Sequence, residues 1–237
     1  MRSVLITGGA SGLGKVLVDS FLKEGYKVFY TYHKSVPDLT IDNCTSIKCD
    51  LSKDEDINNL VSYIRDNGGV DILVNNSALE YNTELSDKTR DSFKEVFDVN
   101  LFGPFILSRE LGRDMYNNKY GKIINISSNN SVDKSDSSTL EYDCSKAGLN
   151  IMTKVLAKEF APFVNVNGIL PGWILTDKIK ELDNSLNNEF IKEEEKNILL
   201  NRFATCEDIA NLVLFLASDK SSYINSELIR IDGGNND

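Results

Sequence analysis

Tyr142 and Lys146 are the residues whose types and spacing most clearly allow chemistry, within the stretch Tyr142-Asp143-Cys144-Ser145-Lys146. Side chains four positions apart lie one turn apart on the same face of an α-helix. A free phenol has a pKa near ~10, and a neighbouring ammonium lowers that pKa because it favours the phenolate. A phenol tuned in this way can protonate a carbonyl oxygen or deprotonate an alcohol. The alternative is a surface tyrosine beside a surface lysine, so the interpretation depends on the elements around the pair.

A glycine-rich turn lies near the start of the chain. The β-rich run Val4–Thr7 breaks at Gly8-Gly9-Ala10-Ser11-Gly12-Leu13-Gly14, and an apolar pattern of helical period then continues to Gly25. Glycines between a strand and a helix let the backbone approach a pyrophosphate, and the helix N-terminus supplies amide donors. The pattern therefore predicts a dinucleotide site, with an unliganded tight turn as the alternative.

The end of the second predicted strand bears on the choice of dinucleotide. The strand runs from Lys27 to Tyr32, and His33, Lys34 and Ser35 follow it. A carboxylate at this point would hydrogen-bond a ribose 2′-hydroxyl and repel a 2′-phosphate. There is no carboxylate here but there is a lysine, which favours NADPH over NADH. The alternative is that Lys34 is an ordinary solvated lysine.

The remaining segments alternate between strand and helix patterns. We predict further strands at 45–49, 70–74, 122–126, 164–170 and 227–231, and helices at 53–66, 87–115, 142–160 and 206–217. Alternation of this kind, with no linker, predicts a single α/β domain over residues 1–237: one doubly wound parallel sheet (Rossmann fold) with helices on both faces. The irregular segment 177–201 is either a lid over the site or a solvated insertion.

Polar side chains stand where such a sheet binds ligands. Ser127 and Ser128 follow the fifth strand, and ligands of open α/β sheets sit outside the carboxyl ends of the strands. Asn100 interrupts the apolar face of the helix predicted at 87–115, where it is either functional or a satisfied buried amide.

The composition argues against several classes of partner. The chain has 237 residues and a formal net charge of −10, which disfavours nucleic acid and anionic membrane surfaces. Four cysteines without a CxxC pair and a single histidine, His33, predict no metal site, no disulfide and a reducing compartment. Since no apolar run is long enough to span a bilayer, we expect a cytoplasmic protein that does not bind membranes.

Taken together, these motifs resemble the short-chain dehydrogenase/reductase family over nearly the full length of the chain. The residues that carry the resemblance are the turn Thr7–Gly14, Asp50, Asn75-Asn76-Ser77-Ala78, Asn100, Ser128, Tyr142, Lys146, Pro171-Gly172, Thr176 and Asp232-Gly233-Gly234. The resemblance implies a catalytic tetrad of Asn100, Ser128, Tyr142 and Lys146. It also implies a dinucleotide site made by Gly8, Ser11, Gly12, Leu13, Gly14, His33, Lys34, Asp50, Leu51, Asn76, Ser77, Tyr142, Lys146, Pro171, Gly172, Ile174 and Thr176.

The implied reaction is hydride transfer between NADPH and a small-molecule carbonyl substrate. Tyr142 would protonate the oxygen and Ser128 would hydrogen-bond it. Lys146 would lower the pKa of Tyr142 and hold the nicotinamide ribose, and Asn100 would anchor a water that resupplies the proton through Lys146. A non-catalytic NADP-binding sensor or scaffold is the alternative from another class.

Within the family, the segments 201–219 and 223–224 look most like those of 3-oxoacyl-thioester reductases. That resemblance implies an acyl carrier protein as a possible partner, for which a basic patch could come from Lys178, Lys180, Lys192 and Arg202. The polar loop 129–139 points instead to a hydroxylated or charged carbonyl, such as a sugar or secondary-metabolite intermediate, unless that loop simply faces water.

The sequence departs from the family pattern at two positions. Ala78 and Ser226 stand where the family usually has glycine, and glycine tolerates backbone angles that other residues do not. Family members are usually homotetramers or homodimers that pair through the helices holding Asn100 and Tyr142. Several apolar residues of those helices fit either an interface or the core: Phe102, Phe105, Ile106, Ile151 and Met152.

Overall fold

The computed structural model describes residues 1–34, 42–132, 136–186 and 188–235. Seven parallel strands form one sheet in the order β3-β2-β1-β4-β5-β6-β7. They are β1 Ser3–Ile6, β2 Lys27–Tyr32, β3 Cys44–Lys48, β4 Ile72–Asn75, β5 Gly121–Ile126, β6 Val164–Pro171 and β7 Leu228–Ile231. The doubly wound parallel sheet is therefore confirmed, and its strand order reverses between β1 and β4, where such folds bind ligands.

Eight helices flank the sheet within the part of the chain described. They are α1 Gly12–Lys23, α2 Asp54–Asp66, α3 Arg90–Phe97, α4 Gly103–Asn117, α5 Leu140–Glu159, α6 Asp177–Ser185, α7 Phe190–Glu195 and α8 Cys206–Ala217. The helices form two layers, one on each face of the sheet. Strand β1 contacts both layers, because successive side chains of a strand point to opposite faces. Val4 and Ile6 pack with α1 and α8, whereas Leu5 packs with α2, α4 and α5.

The long helix predicted at 87–115 is confirmed as a continuous helical run over residues 90–117, but it is not α-helical throughout. The structure has α3, then a π-helical turn Asp98–Phe102, then α4. Pro104 accounts for the change in hydrogen bonding, because it has no N–H to donate to the carbonyl of Asn100 four residues earlier. π-Turns within helices occur frequently at functional sites, and this one contains Asn100.

The structure separates core from surface among the apolar residues of these helices. Ile106 and Met152 pack against the core. Phe102, Phe105 and Ile151 are 50%, 40% and 63% exposed. Pairing through these helices stays a prediction, and the three exposed side chains offer more apolar surface for it than the half-buried Ile106 and Met152.

The two departures from glycine have different consequences. Ser226 has a φ of 67°, in the left-handed region where a Cβ is disfavoured. Ala78 is not among the described residues with positive φ. Strain from a missing glycine is therefore present at Ser226 and absent from Ala78.

The irregular segment predicted at 177–201 contains the two short helices α6 and α7. Its movement as a lid stays a prediction. Among the described residues, no helix combines the length and apolarity that a bilayer span requires.

Candidate active site

A cavity of about 660 Å³ lies at the carboxyl ends of β1 to β4 and is called here the nucleotide cavity. It brings together most of the residues that the resemblance assigned to a dinucleotide: Gly8, Ser11, Leu13, Gly14, His33, Lys34, Asp50, Leu51, Asn76, Ser77 and Thr176. These residues come from five separate stretches of the sequence. Because the carboxyl ends of parallel strands meet at one edge of the sheet, the fold assembles them.

The glycine turn forms a cradle that side chains would fill. Gly8 has a φ of +70°, and its amide donates to Thr31 Oγ1 at 3.0 Å. A Cβ added to Gly14 would lie 2.0 Å from the carbonyl oxygen of Gly8. Asn76 Nδ2 donates to the carbonyl of Thr7 at 2.9 Å and so ties the turn to the end of β4. The turn therefore fits the close backbone approach that a pyrophosphate requires.

Asp50 lies next to the end of β2, close to the two residues predicted to recognise a 2′-phosphate. Its Oδ2 is 3.6 Å from His33 Nε2 and 3.3 Å from Lys53 Nζ. Burial opposes ionisation of Asp50, but hydrogen bonds from Ser52 together with Lys53 and His33 outweigh it, so the pKa of Asp50 is lowered. Lys34 is exposed at the same cavity wall, and Ser35 lies outside the described residues.

A second, smaller cavity of about 180 Å³ contains the predicted reacting groups and is called here the catalytic cavity. Its lining combines predicted residues with others that sequence reasoning missed: Glu80, Ser128, Asn129, Asn130, Tyr142, Gly172, Trp173, Ile174, Ile179 and Asn235. The chain passes from one cavity to the other at Leu79–Glu80 and at Ile174–Thr176. The two cavities therefore adjoin.

The pKa of Tyr142 depends mainly on burial. Burial of the phenol raises its pKa well above the ordinary value, Glu80 and Asp143 raise it further, and a hydrogen bond with Ser128 opposes the rise. The pKa of the phenol is therefore above its ordinary value in this state, and the prediction that Lys146 lowers it stays a prediction. Removal of the phenol from water is the largest cause of this rise.

Lys146 is 2% exposed, and its Nζ donates to the carbonyl of Ile126 at 2.7 Å. The same Nζ lies 5.5 Å from the centre of the Tyr142 ring. Burial lowers the pKa of Lys146 to about 8, against the opposing effect of Glu80. Lys146 is thus mostly charged at neutral pH and loses that charge in mildly alkaline solution.

Asn100 is fully buried, and its side chain bridges two segments of the site. Its Oδ1 accepts from the amide of Leu79 at 2.7 Å, and its Nδ2 donates to the carbonyl of Leu79 at 2.8 Å and to Ser145 Oγ at 3.0 Å. Asn100 therefore fixes the segment after β4 against the helix that carries Tyr142. The water-anchoring role implied by the resemblance stays a prediction.

Three residues assigned to the dinucleotide, Gly12, Lys146 and Pro171, line neither cavity. Tyr142, Gly172 and Ile174 line the catalytic cavity rather than the nucleotide cavity.

Glu80 is the most informative of the cavity residues that were not predicted from the sequence, because it stands only two positions after the Asn75–Ala78 motif. A charged residue that close to a strand end was available as a signal.

The polar loop 129–139 does not simply face water. Asn129 is buried, Asn130 is half-buried, and both line the catalytic cavity. Residues 133–135 of that loop lie outside the described part of the chain.

A larger concavity of about 840 Å³ beside α3 and α4 contains none of the four predicted catalytic residues. Across the described ranges, no three histidine, cysteine or acidic side chains gather as metal ligands would.

Known proteins similar to this chain share its whole length. A family model described as enoyl-(acyl carrier protein) reductase matches residues 8–236. A 3-oxoacyl-[acyl-carrier-protein] reductase of Rickettsia bellii is 36% identical over 239 residues, which cover 98% of this chain and 96% of that protein. An NAD-dependent glycerol dehydrogenase of Listeria innocua is 34% identical over 240 residues, covering 98% and 93% of the two chains. The solved structure of a 4-hydroxyisoleucine dehydrogenase complexed with NADH has a TM-score of 0.92 at 31% identity, covering 99% and 98%.

The class of protein is an oxidoreductase that binds a dinucleotide. It is defined by the doubly wound sheet with its glycine turn, together with a serine and a tyrosine at the adjoining cavity. With the similarities above, the chain belongs to the short-chain dehydrogenase/reductase family. The resemblance predicted from the sequence is therefore confirmed.

Proposed function

We propose that the protein is an NADPH-dependent carbonyl reductase that interconverts a ketone or aldehyde with the corresponding alcohol. The observation that supports this most is a single cavity lined by Ser128 and Tyr142, with the ammonium of Lys146 5.5 Å from the ring of Tyr142. Binding of a dinucleotide alone does not require this grouping, so it favours an enzyme over a sensor or scaffold.

The residues of the nucleotide cavity fit a dinucleotide at the glycine turn and at the N-terminus of α1. When bound, the reduced nicotinamide supplies the hydride to a carbonyl carbon. Tyr142 gives its proton to the carbonyl oxygen, since its raised pKa keeps the phenol protonated at neutral pH. Ser128 donates a hydrogen bond to the same oxygen and fixes its position. Lys146, in its charged form, stabilises the phenolate that Tyr142 leaves.

The finer choice of NADPH rests on the end of β2. His33 and Lys34 line the nucleotide cavity, and Asp50, a carboxylate of the same wall, is held by Ser52, His33 and Lys53. A carboxylate with those partners repels a 2′-phosphate less than a free one at the strand end. NAD-dependent relatives exist, so the preference of this chain needs its own measurement.

Two substrate classes are candidates. The similarity to 3-oxoacyl-[acyl-carrier-protein] reductases favours a 3-oxoacyl thioester, with the acyl carrier protein as partner. Of the four basic residues available for docking an acidic carrier, Lys180 pairs with Asp177 at 3.2 Å and Arg202 with Asp208 at 2.7 Å. These ion pairs reduce the positive charge of the patch.

A small polar carbonyl compound is the second candidate, and the catalytic cavity favours it. The cavity has a volume of about 180 Å³ and is lined by Glu80, Asn129 and Asn130 near the reacting groups. Drug-sized ligands occupy pockets of roughly 300–1,000 Å³ lined mostly by apolar side chains. An acyl chain would meet a carboxylate and two amides here.

The test is NADPH oxidation, followed at its near-ultraviolet band, with a panel of ketones, aldehydes and 3-oxoacyl thioesters. Tyr142→Phe should reduce kcat by about 10²- to 10⁴-fold and leave NADPH binding nearly intact, because it removes only the proton donor. Tyr223→Phe is the matched control, since Tyr223 is fully exposed. Turnover that survives in Tyr142→Phe, or no NADPH-linked turnover of any carbonyl, would contradict the proposal.

A further inference from the structure

Glu80 is a carboxylate in the catalytic cavity that the reaction proposed above does not use. It lines that cavity together with Ser128 and Tyr142. Removal from water is the main cause that raises the pKa of Glu80, although Glu80 is an exposed residue. A carboxylate beside the group that protonates the substrate opposes charge on the phenolate, so its presence needs another reason.

The chain on both sides of Glu80 is held firmly against α5. Asn100 bonds both backbone groups of the preceding Leu79, at 2.7 and 2.8 Å. On the other side, Lys88 forms an ion pair with Glu141 at 2.7 Å, with side chains 4% and 0% exposed.

The same Lys88 Nζ donates to the carbonyl of Ser138 at 2.6 Å and to that of Tyr81 at 3.4 Å. The residues before and after Glu80 are therefore anchored to the helix that carries Tyr142. This arrangement fixes the carboxylate relative to the phenol, as a specific contact to a substrate requires.

The polar wall of the cavity is rich in hydrogen-bond acceptors. They include the side chains of Glu80, Asn129 and Asn130, and Asn130 is held by Asp143, which accepts from Asn130 Nδ2 at 3.2 Å. Acceptors of this kind match hydrogen-bond donors on a substrate. Lys178, Lys146 and Lys88 already offset the charge of Glu80, so a neutral hydroxyl suits it better than an ammonium.

The same cavity is also lined by apolar side chains, among them Trp173, Ile174 and Ile179. Trp173 stacks on Phe203 with ring centres 5.7 Å apart and meets Phe190 edge to face at 5.3 Å. Its Nε1–H donates to Glu194 Oε2 at 2.9 Å, so the indole is held in place and Nε1 is not free for a ligand. A carboxylate and amides together with aromatic and aliphatic side chains match a short carbon chain that carries hydroxyl groups.

We propose that Glu80 determines substrate specificity by accepting a hydrogen bond from a hydroxyl group of a small, neutral, hydroxylated carbonyl compound. The hydroxyl lies on a carbon next to the reacting carbon, whose oxygen meets Ser128 and Tyr142. The inference rests on the proposed function, because it uses the same site for the reacting oxygen. It makes simple acyl chains poor substrates, since they leave the carboxylate of Glu80 without a donor.

The first test compares matched substrates in the same direction with NADPH. Dihydroxyacetone carries hydroxyls beside its carbonyl, 2-butanone carries none, aminoacetone carries an ammonium, and acetoacetyl-coenzyme A represents the thioester class. The wild type should prefer dihydroxyacetone. Glu80→Gln should lower kcat/KM for dihydroxyacetone by about 10- to 100-fold and change it for 2-butanone less than about twofold.

Glu84→Gln is the matched control, because Glu84 is an exposed carboxylate of the same segment with no resolved role in the site. A wild-type preference for 2-butanone, aminoacetone or acetoacetyl-coenzyme A would overturn the inference, as would equal losses on all substrates in Glu80→Gln. In those cases turnover that still depends on Tyr142 leaves the reductase proposal standing.

A second test measures binding without turnover. Trp173 is the only tryptophan of the chain, so its fluorescence in the NADPH-loaded protein, which cannot oxidise an alcohol, reports on the catalytic cavity. Glycerol should change that fluorescence saturably, with a dissociation constant about 10- to 100-fold higher in Glu80→Gln and unchanged in Glu84→Gln. If no hydroxylated compound causes a saturable change and dihydroxyacetone is not reduced, the inference is wrong.

Discussion

The two adjoining cavities differ in how their walls are made. The nucleotide cavity depends on backbone: Gly8 with its positive φ, Gly14 beside the carbonyl of Gly8, and the N-terminus of α1. The catalytic cavity depends on side chains, among them Glu80 and Trp173, which reach it from segments far apart in the chain. Few substitutions are therefore compatible with the wall of the nucleotide cavity. A substitution in the wall of the catalytic cavity, by contrast, can change which substrate is bound.

This difference explains why the resemblance to relatives is more informative for one cavity than for the other. A backbone cradle leaves its mark in the sequence as glycines at fixed spacing, and dinucleotides share one pyrophosphate chemistry. A substrate wall has no common chemistry to preserve. The similar proteins accordingly include reductases and dehydrogenases named for a thioester, glycerol and a hydroxylated amino acid.

The largest expected effect breaks the nucleotide cavity alone. Gly14→Ala should weaken NADPH binding by about 100-fold or more, because a Cβ there would lie 2.0 Å from the Gly8 carbonyl oxygen. Fluorescence titration with NADPH measures it. The control is Gly148→Ala, where the nearest atoms are Leu101 methyl groups at 3.0 and 3.4 Å. Normal NADPH binding in Gly14→Ala would show that the turn is not the cradle.

The second largest effect is expected on the preference between NADPH and NADH, with no change in substrate preference. Lys34→Glu should lower the ratio of kcat/KM for NADPH to that for NADH by about 10- to 100-fold, since it replaces a cation near the 2′-phosphate by an anion. The exposed Lys23, at the end of α1, provides the control Lys23→Glu. An unchanged ratio would rule out recognition of the 2′-phosphate by Lys34.

The third effect concerns Lys146, which is buried next to the catalytic cavity. Because its pKa is lowered to about 8, the charged form prevails below that pH and is lost above it. The value of kcat/KM for NADPH, which reports on the free enzyme, should therefore fall about tenfold from pH 7 to pH 9. A profile that stays flat or rises over this range would contradict a role for charged Lys146.

The smallest effect lies outside both cavities. Ser226→Gly should stabilise the protein by roughly 0.5–1 kcal/mol, because relief of the left-handed backbone exceeds the entropy that glycine loses on folding. The melting temperature should rise by about 2 °C, and kinetic constants should not change. The backbone bond from Ser226 to Val166 at 2.9 Å remains in the variant. A lower melting temperature would mean that the serine side chain contributes more than its backbone costs.

Some features were predictable from the sequence because local chemistry fixes them. The spacing of Tyr142 and Lys146 fixes their common helical face, and the glycines around Gly12 fix the turn. Alternating strand and helix patterns were enough to predict the parallel sheet. The π-helical turn in the long helix also has a local cause, because Pro104 lies just after it. The apolar pattern of helical period alone gave no sign of this turn.

Other features were decided only by tertiary structure, because they depend on distances between segments remote in sequence. Burial raises the pKa of Tyr142 and lowers that of Lys146, and burial has no local signature. The place of Glu80 in the catalytic cavity depends on Asn100 and on the pair Lys88–Glu141, which join the segment after β4 to α5. Sequence therefore determined which groups could react, and packing determined the charge they carry and what faces them.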